Sequence, residues 1–283
     1  MNAISPLLLL LALTLIALCE QARVPYSEID LADLATNDVQ AVIVQGAVSN
    51  DRLGRSVSAA GDVNNDGIAD VIVGAPQYSS GGRSSAGAAF VIFGNSSGLV
   101  DLDLLGFVSG TRGFIIQGAT AGGLLGQSVS GAGDVNGDGN DDVIVSAPYA
   151  PPEGRTVAGA VYVIWGKGEG FATLDLLGFV SGDSTGFIIQ GAMAGDNLGW
   201  SVGAAGDVNN DGYADVIVGA PRADPEGRSS AGAVYVILGK GEGFATVDLL
   251  GFVSGTRGFI IQGAKVNHYL GYSVSGAGDV NGD

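Results

Sequence analysis

Carboxylates and carboxamides recur in this chain at spacings that would wrap a hard cation. Asp62, Asn64, Asp66 and Asp70 put side-chain oxygens at positions 1, 3, 5 and 9 of a loop, with Gly67 at position 6. Asp134, Asn136, Asp138 and Asp142 repeat the pattern around Gly139, and Asp207, Asn209, Asp211 and Asp215 repeat it around Gly212. Position 7 (Ile68, Asn140 or Tyr213) adds a backbone carbonyl. A fourth copy, Asp279, Asn281 and Asp283, stops where the sequence stops. An all-oxygen donor set with glycine at the tight bend suits Ca²⁺. The expected cofactor is therefore Ca²⁺, held by three complete loops, with the truncated fourth a poor binder.

The surroundings of these loops decide what kind of calcium site they form. A helix-flanked loop needs a bidentate Glu at position 12. Those positions hold Val73, Val145 and Val218, each inside an apolar run that reads as a strand. The ninth residue closes the loop instead, so the loop joins two strands. The first Asp recurs at 62, 134, 207 and 279, at steps of 72, 73 and 72 residues. Such regularity makes the loop part of a structural repeat and points to a binding scaffold before an enzyme.

The rest of the repeat follows the same period. Gly113-Phe114-Ile115-Ile116-Gln117-Gly118-Ala119 returns at Gly186–Ala192 and Gly258–Ala264, with a worn version at Ala41–Ala47. Each unit reads as four short strands, for example Leu125–Ser130, Asp142–Ser146, Ala160–Trp165 and Phe187–Gln190. The second and third are continuous apolar runs, as expected of strands covered on both faces. Val, Ile and 49 Gly between frequent turns favour an all-β fold. Four-stranded antiparallel sheets stacked on similar sheets are β-propeller blades. The expected divisions are units 41–112, 113–185 and 186–257, with a truncated unit at 258–283 and a linker at 20–40. Three complete units fall short of a closed ring. The chain is expected to be a piece of a larger propeller, an open arc with exposed end blades, with Ala41–Gln45 an orphan outer strand.

Bulk properties narrow the function. A formal charge of −17 excludes unaided nucleic-acid binding as a main role, because phosphate contact needs Lys and Arg. The one cysteine, Cys19, lies in the N-terminal segment, so calcium rather than cystine is the available cross-link. Leu7–Leu18 is too short to span a bilayer comfortably and has the length of a signal-peptide core. Residues 1–19 read as a secretory signal cleaved after Cys19, with Ala22 a second cleavage site and an uncleaved anchor the alternative. No other membrane span is expected. The protein is placed outside the cell or on its surface.

The order Leu-Gly-x-Ser-Val, then Gly-Asp-Val-Asn-x-Asp-Gly-x-x-Asp-Val-Ile-Val-Gly-Ala-Pro, then Gly-Ala-Val-Tyr-Val-Ile resembles the FG-GAP repeat. That repeat builds the propeller of integrin α subunits and occurs in bacterial secreted proteins. The resemblance covers residues 41–283. It departs from the pattern where Leu53-Gly54, Leu125-Gly126, Leu198-Gly199 and Leu270-Gly271 replace Phe-Gly, and where Ser146 replaces the Gly of Gly-Ala-Pro. It implies calcium at the three complete loops, where every ligand position matches, and a protein or cell-surface ligand.

Other candidates have quieter readings. Arg83, Arg155 and Arg228 recur in register. They form either a ring of cations for an acidic ligand or pairs with nearby acids such as Glu153 and Glu226. His268 has no partner His or Cys and reads as a loop residue. Ser128 and Ser201 are strand positions, not nucleophiles, and Tyr162, Tyr235, Trp165 and Phe90 read as inter-blade core. Asn95-Ser96-Ser97 is a glycosylation sequon in a eukaryotic host. No catalytic constellation is present. The expected function is an extracellular calcium-binding scaffold for adhesion or protein contact, not an enzyme. The alternative is the accessory region of a larger secreted hydrolase.

Overall fold

A computed structural model describes residues 42–97, 101–182 and 184–278. The signal segment, Cys19, Ala41 and the fourth loop at Asp279–Asp283 lie outside the described residues. Among the described residues, sixteen strands and two short 3₁₀ turns, Pro152–Gly154 and Pro225–Gly227, make up the regular structure. Among the described residues no helix is long and apolar enough to cross a membrane.

Three sheets repeat one plan. The first contains β2 (Ser56–Gly61), β3 (Asp70–Ala75), β4 (Ala88–Ile92) and β6 (Gly113–Gln117), antiparallel in that order from the inner strand outward. The second contains β7 (Val129–Gly133), β8 (Asp142–Ala147), β9 (Ala160–Ile164) and β11 (Gly186–Gln190). The third contains β12 (Ser201–Gly206), β13 (Asp215–Ala220), β14 (Ala233–Ile237) and β16 (Gly258–Gln262). The sheets do not close on one another, and the fold is all-β: blades of a partial propeller ring.

Both faces of the middle strands are buried, which explains their unbroken apolar sequence. Val71 and Val73 pack on one side with Val44, Phe90 and Leu102. Ile72 points the other way, into a core shared with Val143 and Val145 of the next blade. Ile144 in turn faces Val216 and Val218 of the third blade. The two-residue period of a strand thus sends alternate side chains of β8 into two inter-blade cores, one shared with each neighbouring blade. Tyr162, Tyr235, Trp165 and Phe90 lie in these cores, as expected from the sequence.

Three details differ from the sequence reading. The inner strand of the second blade is Val129–Gly133 rather than Leu125–Ser130. Leu124 and Gly126 have φ of 55° and 85°, so the Leu-Gly element is a turn that buries Leu125 completely. Ala41–Gln45, described from Val42 onward, joins none of the three blades, but its strand β1 (Val44–Gln45) has a parallel partner, β5 (Leu102–Asp103), that was not expected. Two blades carry a fifth strand donated by the following unit: β10 (Leu174–Asp175) lies parallel to β6, and β15 (Val247–Asp248) parallel to β11. The sheet of each of these blades is therefore longer than the four antiparallel strands expected.

Hydroxyls join the inner strands. Ser56 Oγ accepts a hydrogen bond from Val129 N at 3.0 Å, Ser128 Oγ from Val202 N at 3.1 Å, and Ser201 Oγ from Val274 N at 3.1 Å. One serine per repeat, at one register position, thus pins each blade to the next.

Candidate metal centre

Each acidic loop leaves its inner strand through a bulge. The register shifts between Ala59 and Gly61, between Gly131 and Gly133, and between Ala204 and Gly206. Gly61, Gly133 and Gly206 take φ of 81°, 72° and 79°, a region that favours glycine. The bulge turns the chain out of the sheet to begin the loop.

The loop side chains fold back on their own backbone. Asp62 accepts from Asp66 N at 3.0 Å and from Gly67 N at 2.8 Å, one bond to each carboxylate oxygen. Asn64 Oδ1 accepts from Asp66 N, and Asp66 Oδ1 accepts from Ile68 N. Asp134, Asn136 and Asp138 repeat these bonds in the second loop, and Asp207, Asn209 and Asp211 in the third. All three loops hold their oxygens in one arrangement.

The ninth residue is different in kind. Asp70, Asp142 and Asp215 are buried, at 1%, 0% and 0% exposure. Asp142 Oδ2 accepts from Val135 N within the loop and Oδ1 from Gly166 N beyond β9, both at 2.9 Å. Asp70 bridges Val63 N and Gly94 N in the same way, and Asp215 bridges Val208 N and Gly239 N. Each is a latch that ties the loop to the far end of the third strand.

The latch carries an electrostatic load. Burial pushes Asp142 up to about 8 against the pull of its two N–H donors, and the charges of Asp138 and Asp134 push the same way. Burial pushes Asp70 up to about 6, with Asp66 and Asp62 adding to it, and Asp215 is raised for the same reasons. No acid of the loops is in an ion pair among the described residues. Each loop therefore gathers carboxylates that no side chain among the described residues neutralises.

Among the described residues, no three His, Cys, Asp or Glu side chains converge as a metal-binding group. The loops offer a mixed set instead: carboxylates at positions 1, 5 and 9, the Asn amide oxygen at position 3 and the carbonyl of Ile68, Asn140 or Tyr213 at position 7. An all-oxygen set with uncompensated charge fits a hard divalent cation. The loops are also part of the inter-blade contacts. Asp62 N donates to Asp141 Oδ2 at 2.7 Å, Lys167 N to Val63 O at 2.9 Å, and Ala214 N to Asp134 O at 2.9 Å.

Of the other candidates, two arginines are paired with acids of the following repeat unit. Arg83 meets Asp175 at 2.6 Å and Arg155 meets Asp248 at 2.8 Å, each acid lying on the donated strand of the following unit. Arg228 pairs with Glu226 as expected, while the pairing expected for Glu153 is replaced by the Arg155–Asp248 bridge. The ring of three free cations is not present. The recurrence of Asp103, Asp175 and Asp248 in one register was the signal for these partners.

The FG-GAP repeat profile matches residues 53–92, 125–164 and 198–237, the inner three strands and acidic loop of each blade. This chain is an FG-GAP repeat protein. It is 34% identical over 227 residues to the phosphatidylinositol-glycan-specific phospholipase D of Bos taurus, covering 80% of this chain and 25% of that protein. It is 31% identical over 242 residues to integrin alpha pat-2 of Caenorhabditis elegans, covering 83% of this chain and 17% of that protein. Integrin alpha-IIb of Mus musculus is 34% identical over 175 residues, covering 59% and 14%. The chain thus spans a quarter or less of each of these relatives.

Proposed function

We propose that this FG-GAP chain is an extracellular, calcium-loaded propeller scaffold that binds a protein or cell-surface ligand, as in adhesion. The observation that carries the reading is the threefold repetition of one oxygen arrangement around a buried, uncompensated Asp. The ligands are Asp62, Asn64, Asp66, Ile68 and Asp70; Asp134, Asn136, Asp138, Asn140 and Asp142; and Asp207, Asn209, Asp211, Tyr213 and Asp215. Asp279, Asn281 and Asp283 would form an incomplete fourth set. Bound Ca²⁺ would supply positive charge at the centre of each loop. The loop backbone orients the oxygens, and the latch carries the loop's position to the third strand.

Similarity to integrin alpha chains supports adhesion and a role without catalysis. Residues 1–19 would direct export, and units 41–112, 113–185, 186–257 and 258–283 would be the repeats. Melting with chelator against millimolar Ca²⁺ tests the metal. A ligand at 100 times its Kd stabilises by about 2.7 kcal/mol per site, and an unchanged melting temperature would sink the calcium reading. Cell attachment to the immobilised protein, lost in chelator, tests the adhesive role.

The second reading, a propeller region of a larger secreted hydrolase, is favoured by the similarity to phosphatidylinositol-glycan-specific phospholipase D. Hydrolysis of phosphatidylinositol-glycan by the natural full-length protein, without calcium-dependent attachment, would select it.

A further inference from the structure

The outer edges of the first two blades are covered in the same way. Ile116 pairs with Leu174 and Gln117 with Asp175 in the first, and Ile189 pairs with Val247 and Gln190 with Asp248 in the second. After the Asp, the donated segment buries Leu176 or Leu249, whose N–H donates to the Gln117 or Gln190 carbonyl at 3.0 Å in both. Ahead of it, Phe171 stacks on Phe114 at 4.8 Å and Phe244 on Phe187 at 5.0 Å. Thr173 and Thr246 hydrogen-bond the hydroxyls of Ser109 and Ser181. The Asp then meets the arginine of the covered blade.

The third blade presents the same receptor. Ser254 Oγ accepts from Ile260 N at 3.1 Å, as Ser109 does from Ile115 N and Ser181 from Ile188 N. Among the described residues, however, β16 pairs with β14 alone. Phe259 is 39% exposed, against 3% for Phe114 and 1% for Phe187, and Ile261 is 47% exposed, against 0% for Ile116 and Ile189. Arg228 rests on Glu226 and on Gln262 Oε1 rather than on an incoming Asp.

We propose that the outer edge of β16, with Phe259, Ile261, Gln262 and Arg228, is a docking site for an extended segment of the pattern Phe-Ala-Thr-(Leu/Val)-Asp-Leu-Leu. The occupant is a further repeat of the same type, which adds a short parallel strand and places its Asp on Arg228. Strand addition of this kind draws affinity from main-chain bonds and specificity from side-chain pockets. The site commits the chain to a partner with an apolar residue followed by Asp, because a strand lacking the Asp leaves Arg228 on its own Glu226. The inference is independent of calcium and of the adhesive reading.

A fluorescent peptide with the sequence of residues 243–253 is titrated against the whole chain and followed by anisotropy. Saturable binding is expected. It should weaken by about fivefold when the peptide's Asp is Asn, and by a similar factor in Arg228→Gln, as for the loss of a charge-assisted pair. The Ile261→Lys variant, altered at an already exposed position, should abolish binding with its melting temperature unchanged. Absence of binding up to millimolar peptide, or equal affinity of the Asn peptide, would overturn the proposal. So would self-association of the chain that Ile261→Lys abolishes, because the occupant would then be a second copy of β16.

Discussion

Arg155 reaches across 93 residues of sequence to hold Asp248 through two N–H···O bonds, at 3.2 and 2.8 Å. The pair joins the loop of the second blade to the strand that the next unit lays on its outer edge. Its side chains are 16% and 39% exposed, so solvent screens it only in part. In a double-mutant cycle, Arg155→Gln and Asp248→Asn should couple by about 1 kcal/mol. Raising the salt to about 1 M should diminish that coupling. Additive effects in urea unfolding would show that the bridge contributes nothing.

The two roles of the acidic loop can be separated in chelator. Asp142→Ala leaves the N–H groups of Val135 and Gly166 without acceptors in a buried site. An unsatisfied buried donor costs about 1–3 kcal/mol. With two such donors, Asp142→Ala should destabilise the metal-free protein by about 2–6 kcal/mol. Asp138→Ala alters an exposed loop residue and should cost less than about 1 kcal/mol in chelator. With Ca²⁺ present, both should lose one site by titration calorimetry. Equal losses of stability in chelator would contradict the latch.

A pH effect should come from a group outside the loops. Burial pushes Asp196 up to about 6 despite a hydrogen bond from Met193 N, and the charge of Asp224 adds to the rise. The raised value means the folded state holds this proton more tightly than the unfolded chain. Asp196 thus favours folding most fully below the ordinary carboxylate value near 4. That contribution falls as pH rises towards 6 and stays lost above it. Tyr235 faces the same carboxylate, but its own value of about 12 keeps it neutral throughout this range. The melting temperature of Asp196→Asn relative to the natural protein should be higher at pH 7 than at pH 4. The same difference at both would remove Asp196 from the account.

Close approach at the blade seams predicts an asymmetric swap. A Cβ at Gly74 would stand 2.0 Å from the carbonyl oxygen of Gly126 in the next blade. The equivalent residue of the second blade is Ser146, whose hydroxyl bonds Ser128 N at 3.0 Å and Ser128 O at 3.1 Å. Gly74→Ser should destabilise by about 1–3 kcal/mol or more through overpacking. Ser146→Gly should cost less, because it removes contacts without forcing the backbone apart. Urea midpoints of the two variants test the order.

Much of this architecture is legible in the sequence alone. The acidic loops, the 72-residue period and the apolar second and third strands were legible because each leaves a local pattern. The inner strand was displaced by a few residues, because buried Leu125 imitates a strand residue while sitting in a turn. The donated strands were missed. Leu174–Asp175 and Val247–Asp248 are two residues each, too short for a periodic signal, and their pairing is with a preceding unit. The inter-blade hydroxyl bonds of Ser128 and Ser201 were hidden too, since a strand serine reads as a polar position with no indication of its partner.

The fifth strands put the boundaries of the sequence and the boundaries of the sheets out of phase. The sheet that begins at Ser56 has its main strands within 56–117 but borrows 174–175, and the sheet that begins at Val129 borrows 247–248. No single cut in the chain separates one sheet from the next. Anyone transplanting a repeat into another propeller would have to carry the borrowed segment with it or match the host's own. Exchanging units at their turns would mix parts of neighbouring blades, and the Arg–Asp pairs would show whether the graft had been cut correctly.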